Sequence, residues 1–395
     1  MKDNTSDTSY TNDELCRIAE EELAGTRAIF PERGRECPRC HTCIPVFRDL
    51  QESVRHQLLE LIKAGQESEA IEKLQQETGC PARWAKIWVL HADQKMTIVF
   101  CNNQMNPRVV DADYHAEYQA AKQVGLLPAL ISFEDLSREH RSEQAVVQIA
   151  EQQHETSGIY RGWMLTPSQY TKLFAVLRKK RVRLLTSPKA YRHCHWLPES
   201  YSIIKALTPD TIWVPVAIPD LAEAAVRSLP HFGNKPVIVK DYVKSQKHAW
   251  HEACFIPCAA DTEHARRVIR RFLQLQGDDL QGGIVLREYV ELEMLTTHSR
   301  SGMPLAREFR IFVLQGNPLM VTRYWEEGNY GDELPDLEPF LPIIRQVQSP
   351  FFTMDIAKCA DGRWIIMELG DGQVAGLPEH ANVIDFYRAL YESAS

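Results

Sequence analysis

Residues 351–376 read FFTMDIAKCADGRWIIMELGDGQVAG, two apolar runs joined by the turn ADG at 360–362. Two such runs around a short glycine-containing turn predict a β-hairpin. Asp355 and Glu368 each stand inside one of the runs. A carboxylate in apolar surroundings is costly unless a cation meets it, and magnesium favours a few carboxylates supplemented by phosphate oxygens. Both residues are therefore candidate magnesium ligands; satisfied salt bridges are the competing explanation.

Three segments upstream bear on the hairpin. In AREFRIFVLQGNPLMVTRYW, residues 306–325, strand alternation puts Glu308, Arg310 and Phe312 on one face and Phe309, Ile311 and Val313 on the other. Beyond the QGN turn, Arg323 is a second candidate for the same cleft, because an arginine fork stays charged and grips phosphate in two places. In GIVLREYVELE, residues 283–293, an apolar strand leads to Glu288, Tyr289 and Val290. Their backbone groups and a carboxylate suit an adenine edge, although an ordinary edge strand reads the same way. In PVIVKDYVKSQKHAW, residues 236–250, Lys240 ends a strand with Lys244 and Lys247 behind it. An ammonium aimed into a cleft is a good phosphate partner; a solvated surface lysine is the plain alternative.

Taken in chain order, these segments resemble the ATP-grasp superfamily over roughly residues 96–390. LREYVEL followed by EFRIFV is similar to a divergent branch that includes bacterial and phage proteins and the eukaryotic assembly factor for a translation initiation factor. The resemblance implies an α/β protein with an α+β ATP-grasp core and a preceding parallel-sheet subdomain, using ATP and Mg2+. It implies that Lys240 holds the phosphates, that Glu288, Tyr289 and Val290 surround adenine, and that Glu308 lines the nucleotide site. Arg310 and Arg323 would contact the terminal phosphate or an acyl-phosphate, and Asp355 and Glu368 would bind magnesium. Two departures stand out. The family's Glu-x-Asn ending is here Glu368-Leu369-Gly370, leaving Asp371 as a substitute third ligand, and KSQKHAW replaces the Gly-rich loop expected after the lysine.

The rest of the chain frames this core. With 395 residues, 44% apolar and 25% charged, it can bury two or three domains. The net charge of −8 argues against a nucleic-acid partner, and no run approaches the ~20 apolar residues of a membrane span. Ten scattered cysteines and a polar, acidic beginning without signal or transit character point to a reduced, cytoplasmic setting. Residues 1–35 read as a peripheral arm. Residues 36–94 read as a small helical domain with a knuckle, CPRC, whose Cys37 and Cys40 have zinc-ligand spacing. Cys43, Cys80 and His91 are available to complete that site. LIKAGQESEAIEKLQQETGCPARWAKIWV resembles the helical part of the C-terminal domain of the bacterial ribosomal stalk protein.

Residues 95–215 alternate strands with helices and predict a parallel sheet whose ligands lie at the carboxyl ends of the strands. Arg161, Arg192, His193 and His195 follow such ends and are candidate substrate-binding residues. Residues 216–395 complete the nucleotide-binding domain. The expected activity is ATP-dependent ligation, with a carboxylate activated as acyl-phosphate and joined to an amine, on a peptide or protein as one option. A nucleotide-dependent assembly factor without turnover, and nucleotidyl transfer or RNA end-joining, are the alternatives.

Overall fold

A computed structural model of the chain describes residues 35–36, 43–45, 47, 50–92, 96–138, 140–152, 155–297, 299, 304–331 and 334–394. Cys37 and Cys40 lie outside these residues. Among the described residues, no group of three or more His, Cys, Asp or Glu side chains gathers as a metal site. Nor is any of their helices long and apolar enough to cross a membrane.

The chain divides into two compact units: residues 1–162, 173–185 and 383–395, and residues 163–172 and 186–382. In the first, the paired strands Arg35–Glu36 and Cys43–Ile44 precede helices Glu52–Lys63, Glu67–Thr78 and Ala82–Ala92. Gly79 ends the second helix in the left-handed region (φ 72°), where its N–H closes on the Gln75 carbonyl. Leu58, Leu74, Trp84 and Trp88 share one buried cluster with Phe47. Next comes a parallel sheet in the order Leu127–Ile131, Thr97–Cys101, Thr156–Arg161, Val182–Leu184. Among the described residues, the polar stretch 137–156 holds only the short helices Phe133–Ser137 at its edge and Ser142–Ala145 within it. It lacks the sustained apolar period that a longer helix needs to bury a face.

The second unit contains two antiparallel four-stranded sheets. One runs in the order Thr211–Pro215, Gly283–Glu288, Val237–Asp241, Phe255–Ile256. Strand Thr211–Pro215 pairs with Gly283–Glu288, so the boundary expected after residue 215 falls inside a sheet. The expected C-terminal boundary also shifts, because the last helix, Val383–Ala394, belongs to the first unit. On one face Val237, Val239, Ile284 and Leu286 bury a core with Ala225 and Phe272 from helices Leu221–Ser228 and Thr262–Gln276. Gly282 and Gly283 let this sheet close: a Cβ on Gly282 would stand 2.1 Å from the Tyr242 ring, and one on Gly283 would stand 2.2 Å from the Val214 carbonyl oxygen.

The other sheet runs in the order Asn317–Arg323, Glu308–Leu314, Phe351–Lys358, Trp364–Asp371. The QGN and ADG segments supply its hairpin turns. Phe309, Ile311, Val313, Phe352, Met354 and Ile356 form the buried face, each worth about 1.5–3 kcal/mol by transfer. Alternation leaves the opposite face of the same strands to charged residues.

Candidate nucleotide and metal site

Register assembles the charged face. Arg310 lies opposite Asp355, and Asp355 lies opposite Glu368, giving one row across three neighbouring strands. Arg310 grips Asp355 with both prongs, Nε to Oδ1 at 2.9 Å and Nη2 to Oδ2 at 2.8 Å. Its Nη1 reaches the Gly376 carbonyl at 3.1 Å, and the Tyr324 ring lies 4.8 Å from the guanidinium carbon. From the other sheet, Lys240 donates to Glu368 Oε2 at 3.0 Å. Asp355 is 2% exposed and Lys240 8%. Two buried or half-buried cations are thus matched to two carboxylates, which is how such charges become tolerable away from water.

The carboxylates differ in electrostatic setting. Burial works to raise Glu368, but Lys240 and then Lys247 overcome it and hold the group near 2. Burial raises Asp355, Arg310 opposes the shift, and Glu368 adds to it. Glu308, on the same face two residues before Arg310, is pushed up by burial to about 8, with Lys247 working against that rise. Asp355 and Glu368 have chemistry that suits a divalent cation: they share one face, they come from adjacent strands, and their present partners are side-chain cations rather than backbone. Asp355 and Glu368 are the pair in direct register.

Beside the row, Asp241 organises the chain after Lys240. Its Oδ1 accepts from the backbone N–H groups of Val243 and Lys244, and its Oδ2 accepts from Gln276 Nε2 at 2.7 Å and Gln281 N at 3.2 Å. All four bonds fall on a residue that is 1% exposed, so the turn after the lysine strand is fixed from within.

Alternation corrects three of the sequence expectations. Asp371 is three positions beyond Glu368 on one strand and so points to the opposite face. There it lies opposite Phe352 and accepts from the Gln373 N–H at 3.0 Å and from Gln373 Nε2 at 3.1 Å. The strand therefore turns it away from Asp355 and Glu368. Arg323 pairs with Phe309, not with Arg310, and stands over the Tyr330 ring at 5.5 Å while bonding the Gly331 carbonyl. Glu288 shares the face of Leu286, away from Lys240, and its carboxylate meets Lys235 at 2.9 Å. Tyr289 packs against Phe255 and Trp250 and donates its N–H to Pro236; Val290, next in line, is half-buried.

The residue that does face the Lys240 side is Arg287. It is 6% exposed and donates through Nη2 to Thr208 Oγ1 at 2.7 Å and to the Ile366 carbonyl at 3.1 Å. Among the described residues no carboxylate stands within ion-pair distance of it, and burial lowers its pKa to about 10. Counting alternate positions from Val285 would have identified it.

The proposed substrate residues separate. Arg161, 1% exposed, sits inside the first unit, where its fork is held by Glu117 at 2.9 and 3.0 Å. Tyr387 donates to that same Glu117 at 2.7 Å. Arg192 pairs with Glu199 at 3.2 Å and lies over Trp196. Burial lowers the pKa of His193, with Glu199 opposing. His195 is the one whose charge Glu368 influences. It stacks on Tyr191 at 4.9 Å, and burial lowers it to about 4 while Gln281, Lys244 and Glu368 act on it.

Residues 229–390 match the family model described as the ATP-grasp domain, R2K clade family 3. The matched segment is less than half of the chain. Solved structures similar to the chain include D-cycloserine synthetase DcsG, at 15% identity over 76% of this chain and 99% of that one, TM-score 0.47. Others are the ATP-grasp ligase PsnB complexed with a precursor peptide and AMPPNP (13% identity, 77% and 98% coverage, TM-score 0.47) and a RimK domain protein ATP-grasp from Sphaerobacter thermophilus (11%, 75% and 98%, TM-score 0.48). No curated protein matches the sequence significantly. These matches do not extend to the initiation-factor assembly branch or to the stalk-protein resemblance.

Where the resemblance leads one to expect an asparagine, the glycine has a local reason. Gly370 faces the same side as Glu368 and lies opposite Thr353. A Cβ at residue 370 would come within 2.6 Å of Thr353 Oγ1, so the hydroxyl already fills the space a third side chain would need.

Proposed function

We propose that the chain is an ATP- and magnesium-dependent ligase that activates a carboxylate as an acyl-phosphate and joins it to an amine, with a peptide or protein as one option for the substrate. The observation that supports this most is the row Arg310–Asp355–Glu368, faced by Lys240 from the second sheet. Asp355 and Glu368 would hold magnesium, which when bound offsets the charge of the phosphates. Lys240 leaves Glu368 to bind phosphate oxygens. Arg287, on the same cleft face, supplies a second cation toward the nucleotide. The backbone carbonyl of Glu288 and the backbone of Val290 would read the adenine edge, while the Glu288 carboxylate stays with Lys235. Glu308 lines the phosphate end of the site.

Arg310 steadies the terminal phosphoryl group as a carboxylate oxygen of the substrate attacks phosphorus and the bond to ADP breaks. The amine nitrogen then attacks the acyl carbon, phosphate leaves with the bonding electron pair, and the nitrogen gives up a proton. His195, whose pKa burial lowers to about 4, is neutral at physiological pH and suits the substrate side.

Gly370 supports a second reading, in which a site with two carboxylate ligands binds nucleotide without turning it over and acts as an assembly factor. Product analysis separates the readings. Purified protein, ATP, magnesium and a panel of carboxylates with amines should yield ADP and phosphate. AMP with pyrophosphate, or no turnover across the panel while ATP still binds, would overturn the ligase reading.

A further inference from the structure

ATP-grasp nucleotide binding, as read above, leaves one cation unexplained. Between Asp241 and Gly277 the chain contains no glycine, so the segment after the lysine strand is poorly suited to wrap phosphates closely with backbone N–H groups. It instead forms a strap. A tight turn, Lys247–Ala249, runs into a wide helical turn, Trp250–Cys254. The strap is tied at its base: Gln246 Nε2 donates to Gln276 Oε1 at 2.5 Å, and Gln276 in turn donates to Asp241. At its far side Trp250 stacks on Phe255 at 5.3 Å.

The strap presents Lys247 to the charged row. Its ammonium lies 6.0 Å from the Trp325 ring, and among the described residues no carboxylate is within ion-pair distance. Trp325 N–H is held by the Tyr330 hydroxyl, and that hydroxyl donates to the Glu308 carbonyl, so the ring stands at the Glu308 end of the site. From there the charge of Lys247 acts on Glu308, Asp355 and Glu368 alike. Lys240 is committed to Glu368 and nearly buried, whereas Lys247 is exposed and held only by an aromatic face. That contact is weak beside a charge-assisted bond to phosphate.

We propose that Lys247, carried by the strap, is the clamp for the β- and γ-phosphates, doing with a side-chain ammonium what a glycine-rich loop does with backbone N–H groups. The proposal rests on the nucleotide reading of the same site. On binding, Lys247 leaves the Trp325 ring and closes over the phosphate tail, while Asp241 and Gln276 hold the base of the strap in place.

The test is calorimetric titration of AMP, ADP and ATP, each with magnesium, into the full chain and into Lys247→Met and Lys247→Arg. Lys247→Met should weaken ATP and ADP by about ten- to a hundredfold and leave AMP within about twofold, with Lys247→Arg recovering most of the loss. Unchanged ATP affinity in Lys247→Met would overturn the clamp. Equal losses for AMP and ATP would also overturn it, because they would assign Lys247 to the nucleoside end. A wild-type chain that binds none of the three would overturn the nucleotide reading itself, before any variant is compared.

Discussion

Lys240 and Glu308 show how two buried charges in one site meet opposite fates. Lys240 has a partner, and replacing it removes a charge-assisted bond both from the resting pair and from the phosphates. Lys240→Met should weaken ATP by about tenfold or more, read by titration calorimetry. Equal affinity would remove Lys240 from the site. Glu308 has no bonded cation strong enough to offset burial, and its pKa rises from 4.5 to about 8. The folded chain then keeps a proton that the unfolded chain gives up. This contribution to stability is complete below about 4.5, falls as pH rises toward 8, and is flat above. Glu308→Gln keeps the shape without the proton. Its stability advantage over wild type should grow through that window, measured as urea midpoints from about pH 5 to 9. Parallel curves for the two proteins would contradict a protonated Glu308.

At the scale of the element, the hairpin Phe351–Asp371 sets which carboxylates can cooperate. Asp371→Asn should leave the magnesium dependence of ATP binding intact while lowering stability, since a residue 1% exposed loses acceptor strength toward Gln373. Glu368→Gln should do the reverse to magnesium dependence. Loss of magnesium dependence in Asp371→Asn would restore it as a ligand. Gly370→Asn should not build a third ligand. With Thr353 Oγ1 2.6 Å from the new Cβ, it should cost about 1–3 kcal/mol by overpacking, read from the same urea curves.

The strands, the two hairpin turns, and the sharing of one face by Glu308 and Arg310 were legible because alternation is a local rule, whereas the register that lines up Arg310, Asp355 and Glu368 is set between strands. Asp371, Arg323 and Glu288 were misplaced where proximity in sequence stood in for parity along the strand. The pairing of Thr211–Pro215 with a strand some 70 residues later was not legible, because no local pattern encodes a partner so distant in sequence. The stacking of His195 on Tyr191, and the lodging of Arg161 against Glu117, likewise depend on tertiary packing that one strand or helix does not reveal.

Across the molecule, the charged row in the second unit is neutralised by its own side chains, with Lys240 on Glu368 and Arg310 on Asp355. A bound nucleotide would take the cations and magnesium would take the carboxylates, so the two should bind interdependently, each weakening without the other. That exchange of partners is the central claim. Its most direct measurement is the affinity of ATP with and without magnesium, by calorimetry, in wild type and in Glu368→Gln. The wild type should bind ATP far more tightly with magnesium, and Glu368→Gln should lose most of that enhancement. Magnesium enhancement of the same size in both proteins would contradict the exchange, and so would a wild type that binds ATP equally with and without the metal.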